Sequence, residues 1–162
     1  MSLPRQWNRL RGRVSPRADL PSDFALIDAR FKTAFGALIV IQAAHSIEEY
    51  VGRLWESFPP AAFVSGLVSA DPQFGFLVAN CALVAFGIWC FWWPVRRNWR
   101  SGTWFAAFWI GIEVINGVGH PAWALRQRGY TPGVATAPLL LVLALYLATL
   151  RRSLAGTRML SS

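Results

Sequence analysis

Four predominantly apolar stretches divide the chain, at about residues 33–55, 74–95, 103–120 and 134–150. Each is roughly 17–23 residues long, enough for a helix rising ~1.5 Å per residue to cross a hydrocarbon core of about 30 Å. Only helices or closed barrels satisfy every backbone group in lipid, and these stretches lack the period-two alternation of barrel strands. Helices are therefore expected. Pro21, Ser22 and Asp23 read as a helix entry with an acid near its first turn. Pro121, directly after His120, lacks a backbone donor and predicts the end of the third helix. Arg151 and Arg152 predict the end of the fourth. The pattern predicts an all-α polytopic membrane protein, four transmembrane helices in a compact bundle over residues 24–152. A basic arm over residues 1–23 precedes it and a short tail over 153–162 follows.

Composition supports this and adds an orientation. Of 162 residues, 54% are hydrophobic and 15% charged, as in a polytopic membrane chain of one domain. The net charge of +8 would ordinarily raise nucleic acid as a partner. The basic residues instead flank the apolar stretches, which excludes that reading in favour of membrane edges. Thirteen lie before the first stretch, between the second and third, or after the fourth; only Arg53, Arg126 and Arg128 lie on the other side. The positive-inside rule then puts both termini in the cytoplasm, in an inner or plasma membrane. Trp89, Trp92, Trp93, Trp99 and Trp104 gather at that edge as an aromatic belt. The arginine-rich N-terminus has no apolar core behind it and does not read as a cleavable signal, so the first span is expected to direct insertion. Cys81 and Cys90 share one stretch and read as small core residues rather than a disulfide. The loop over residues 56–73 holds Phe58, Pro59 and Pro60 and a mildly apolar run, either a lid or a plain connector.

The polar exceptions carry the chemistry. Residues 34–44 contain no charge, yet His45, Glu48 and Glu49 follow at once. Ionisable groups inside a span are rare and face a partner or a cavity. The third stretch has a second set, Glu113, Asn116 and His120, with Glu113 and His120 about 20° apart on one helical face. Counted from the cytoplasmic edge, His45 and Glu49 lie roughly 18 and 24 Å deep, and Glu113 and His120 ~15 and ~26 Å. Asn80 enters the same outer layer from the other side. Plainer roles compete at each position. Glu49 could pair with Arg53 four residues on, His120 could be a helix-end residue, and Asn80 and Asn116 could be interhelical glue. Glu113 has no basic residue within a turn, so it is either protonated or faces His45 or a metal. Gly111, Gly117 and Gly119 are expected to let helices approach closely.

His45-Ser46-Ile47-Glu48-Glu49 matches the motif for which the HXXEE membrane-protein family is named. Asn116-Gly117-Val118-Gly119-His120 resembles that family's Asn-x-x-x-His element, and Tyr130-Thr131-Pro132-Gly133-Val134-Ala135-Thr136-Ala137 its Tyr-x-Pro-Gly segment. The three occur in the family's order over about residues 33–150. The resemblance implies a four-helix integral membrane domain with an active site and brings no defined reaction.

Two histidines with carboxylates in a helical bundle suit a divalent transition metal such as Fe or Zn. His45, Glu49, Glu113 and His120 are the expected ligands; Asn116 and Asn80 would orient them. His45, Glu48, Glu49, Glu113 and Asn116 form the expected catalytic set. The expected function is an integral membrane enzyme acting on a lipophilic small molecule. The alternative is a metal-free acid–base isomerase or terpenoid cyclase using a buried Glu/His pair, with Trp109 shielding a developing cation. A proton-coupled transporter or lipid-binding protein is the second alternative. The expected partners are that substrate and membrane lipids; a homo-oligomer is left open. Two questions stay open as well: whether Glu48 or Glu49 faces the site, and whether residues 130–133 are a gate or a turn.

Overall fold

A computed structural model describes residues 20–159, with side chains placed over residues 28–154. Most of the expected basic arm and the last three residues of the tail lie outside the described residues. Among the described residues every regular element is helical. The long helices are α1 (Leu20–Val51), α4 (Pro72–Cys90), α5 (Gly102–Gln127) and α6 (Ala137–Met159). Two short ones, α2 (Leu54–Ser57) and α3 (Pro59–Val68), occupy the loop between α1 and α4. α6 packs mainly on α5 and α1, while α4 packs on α3 and, more lightly, on α1.

Local chemistry explains the boundaries. Asp71 caps α4 by accepting the Gln73 and Phe74 N–H groups at 2.9 and 3.3 Å, with Pro72 at the first helical position. α4 widens into a π-helical turn, Phe91–Val95, around Pro94, with the Arg96 N–H reaching the Phe91 carbonyl. That agrees with the expected second stretch. α1 stops four residues short of its expected end: Arg53 takes a left-handed backbone (φ 58) and breaks the helix. α5 runs through Pro121 to Gln127 instead of ending at His120. The proline forfeits one bond, to the Gly117 carbonyl. The added turns place Trp123 against Phe58 with ring centroids 5.3 Å apart. The helix ends where Arg128 turns left-handed (φ 55) and the Gly129 N–H reaches the Ala124 carbonyl at 3.2 Å. α6 likewise passes Arg151 and Arg152, since arginine is a good helix former. Arg151 donates from Nε to the Thr103 carbonyl at 3.1 Å.

The main core lies at one end of the bundle, where Phe35 and Leu38 of α1 meet Cys90, Trp109 of α5 and Leu140 and Leu147 of α6. A smaller cluster of Leu54, Trp55, Ala61 and Phe76 seats α2 and α3 at the other end. Close approach through glycine occurs at Gly117, where a Cβ would stand 2.5 Å from that of Leu141. Gly111 and Gly119 face open space, so the close packing expected of all three holds only at Gly117. Cys81 is exposed and Cys90 buried, both free thiols.

Among the described residues two helical segments, Pro72–Val95 and Ala137–Leu154, are long and apolar enough to cross a membrane. α1 and α5 have the length, but the polar sets around His45 and Glu113 lower their hydropathy. Two such helices suggest membrane association.

Candidate functional site

His45 and Glu49 are one turn apart on α1 and point the same way, as i,i+4 neighbours do. α5 brings His120 to meet them. Glu49 Oε1 lies 3.3 Å from His45 Nε2 and 3.1 Å from His120 Nε2. The two imidazoles meet edge to face with centroids 4.7 Å apart. His45 is fully buried, with His120 and Glu49 nearly so. One donor atom from each of the three lies within 4.8 Å of the others. Buried polar atoms ordinarily find a hydrogen-bond partner, but His45 Nε2 has none of good geometry. Arg53 does not compete for Glu49; it pairs with Glu56 at 2.8 Å instead.

The segment between α5 and α6 lies behind both rings. His120 Nδ1 is 2.8 Å from the Pro132 carbonyl oxygen, and His45 Nδ1 is 2.7 Å from Thr136 Oγ1. Glu48 points away from the two histidines' shared space and into this segment. Its Oε1 accepts from Tyr130 Oη, Gly133 N and Ala135 N at 2.7, 3.0 and 3.1 Å. Its Oε2 accepts from Thr136 N at 3.0 Å and Thr136 Oγ1 at 2.6 Å. The bond to the Glu48 carboxylate raises the Tyr130 phenol above its ordinary pKa. Two glycines make the approach possible. A Cβ on Gly133 (φ 90) would stand 2.6 Å from the His120 ring and 2.8 Å from that of His45. One on Gly52 would stand 2.5 Å from Pro132. Residues 130–136 are thus a turn packed against the site.

Glu113 is brought near but not into the group. It is fully buried and accepts from Asn116 Nδ2 at 3.2 Å. With its amide nitrogen turned toward Glu113, Gln42 donates to both carboxylate oxygens at 3.0 Å, and its oxygen accepts from Ser46 Oγ at 3.1 Å. Asn80 bonds its own helix, to the Phe76 carbonyl at 3.3 Å. It also borders a cavity of about 330 Å³ whose polar wall is Glu49, His120, Asn116, Gln42 and Asn80. Phe58, Pro60, Ala61 and Val64 of the α2–α3 segment form part of its apolar wall. Trp109 packs beside Phe86 and Phe108 and is absent from that wall.

Three contributors were not picked out from the sequence. Gln42 had a signal: it precedes His45 by three and Glu49 by seven, on the same helical face. Thr136 and Pro132 lie in the segment that resembles the family, but nothing pointed them at the histidines, because a turn's backbone direction is not written in residue type.

The arrangement defines an all-helical protein with a buried His–Glu–His cluster beside a mostly apolar cavity. The chain belongs to the family described as "Protein of unknown function with HXXEE motif", whose model matches residues 37–147. No curated protein and no solved structure matches it.

Proposed function

We propose that the chain is an integral membrane enzyme that acts on a lipophilic small molecule, with a divalent transition metal held by His45, Glu49 and His120. The observation that carries this reading is the convergence of the two Nε2 atoms on Glu49 Oε1. A carbonyl oxygen cannot donate, so His120 Nδ1 must carry the hydrogen toward Pro132. A neutral His120 then presents an Nε2 lone pair, as does His45 if Thr136 fixes the same tautomer. Three electron-rich atoms this close repel unless something positive lies among them. Donors sharing one ion at ~2.0–2.2 Å stand roughly 3.0–3.6 Å apart, and the two separations from Glu49 Oε1 are 3.3 and 3.1 Å. Two histidines and a carboxylate with open positions suit Fe(II), and the same set serves catalytic Zn.

The metal, when bound, would polarise a substrate oxygen or lower the pKa of a coordinated water. The chain's own residues do the rest. Glu49 and His120 line the cavity, so substrate reaches the site from that side. Its polar end meets Asn116, Gln42 and Asn80, while Leu54, Phe58, Val64 and Phe76 take the apolar body and exclude water. Glu113 stands behind Asn116 and Gln42, which favours a supporting role and weighs against direct protonation of substrate.

In this reading α1, α4, α5 and α6 all cross the bilayer with both termini cytoplasmic, following the arginine asymmetry. Only 22% of the apolar window in Pro72–Val95 is buried, the reverse of a soluble core helix. Val40 and Ile47 on α1 and Ile115 on α5 are also exposed, at 68%, 65% and 72%. Such surfaces fit lipid. Elemental analysis of protein purified without chelator tests the metal. About one equivalent of Fe or Zn per chain is expected, falling to background in Glu49→Ala. A wild-type protein that neither retains nor takes up metal would defeat the reading.

A further inference from the structure

We infer that Glu48 is a positioning residue that orients both imidazoles at once, through one bridging group each. The consequence for metal binding rests on the proposed function; the orientation itself does not. Glu48 accepts five hydrogen bonds, all from residues 130–136. A carboxylate has about four lone-pair sites, so its capacity is used up away from the His–Glu–His cluster.

Two of those five bonds lead onward. The Thr136 hydroxyl has one hydrogen, and its short contact to Glu48 Oε2, 2.6 Å, is the charge-assisted one. Its oxygen is then left to accept, so His45 Nδ1 at 2.7 Å must donate. The second route uses a peptide plane. The Gly133 N–H that donates to Glu48 Oε1 at 3.0 Å shares its peptide unit with the Pro132 carbonyl. That carbonyl accepts from His120 Nδ1 at 2.8 Å. One carboxylate therefore fixes the hydroxyl behind His45 and the peptide behind His120. Both rings are set with hydrogen on Nδ1, and both Nε2 atoms face Glu49 Oε1, at 3.3 and 3.1 Å. Carboxylate or carbonyl partners behind histidine ligands set tautomer and basicity in metal sites; here one side chain serves two ligands.

The chain has only two histidines, so ring ¹⁵N spectra resolve them directly. The experiment uses full-length, metal-stripped protein in detergent micelles with a histidine-free tag. The wild type is expected to show hydrogen on Nδ1 in both rings. Thr136→Val should disturb His45 alone and Thr136→Ser should restore it, whereas Glu48→Gln should disturb both rings. Zn²⁺ titration should follow, with affinity about 10–100-fold weaker in Thr136→Val and Glu48→Gln. An Nδ1 without hydrogen in either wild-type ring overturns the inference, as does an unchanged His45 in Thr136→Val. If Glu48→Gln does not fold, the Thr136 pair still decides the His45 route. Hydrogen on both Nδ1 atoms with no Zn²⁺ affinity would sink the metal and leave the positioning role standing.

Discussion

The two ends of the bundle are built on opposite principles. Around Phe35, Leu38, Trp109 and Leu147 the long helices close on side chains that are fully buried and apolar. At the other end the same α1 and α5 bury Gln42, His45, Glu49, Glu113 and His120 and leave a cavity beside them. Dispersion and burial hold the first end together. The second depends on polar groups that must each be satisfied, since an unmet one costs ~1–3 kcal/mol. The contrast assigns labour along one pair of helices: one half sets their spacing, and the other uses that spacing to aim side chains.

Substitutions at the two ends should therefore separate stability from site chemistry. The largest effect expected is His120→Ala, which removes one of the three proposed ligands and should abolish stoichiometric metal in elemental analysis. Leu38→Ala comes next. It should cost about 2–5 kcal/mol in denaturant unfolding, as buried leucines do, with metal content per folded chain unchanged. Loss of metal in that variant would show that the two ends are not independent. Gly133→Ala is subtler: its Cβ would displace both rings, and Zn²⁺ affinity should fall roughly tenfold, about 1.4 kcal/mol. Arg53→Ala breaks only an exposed pair with Glu56 and should stay within about 1 kcal/mol by the same unfolding measurement.

Much of this division was legible in the sequence. Helices were expected from the length of the apolar stretches, and the meeting of His45 with His120 from their depth. Glu49 was the expected ligand, but which of Glu48 and Glu49 faces the site stayed open, because both lie on the same side of α1 and what separates them is the turn at 130–136. The passage of α5 through Pro121 was hidden for a similar reason: the contact between Trp123 and Phe58 belongs to the tertiary fold. Face and depth alone make Glu113 an expected ligand. The structure gives it Asn116 and Gln42 as partners and leaves it out of the three-residue donor group. Periodicity fixes direction to within a helical face, whereas ligation needs it to within about half an ångström.

The most direct test of the central claim is X-ray absorption at the metal edge of the purified, metal-loaded protein. The predicted spectrum has two imidazole nitrogens and at least one oxygen at ~2.0–2.2 Å, and His45→Ala should lose one imidazole. Sulfur at ~2.3 Å, or a wild-type spectrum with fewer than two imidazoles, would contradict it.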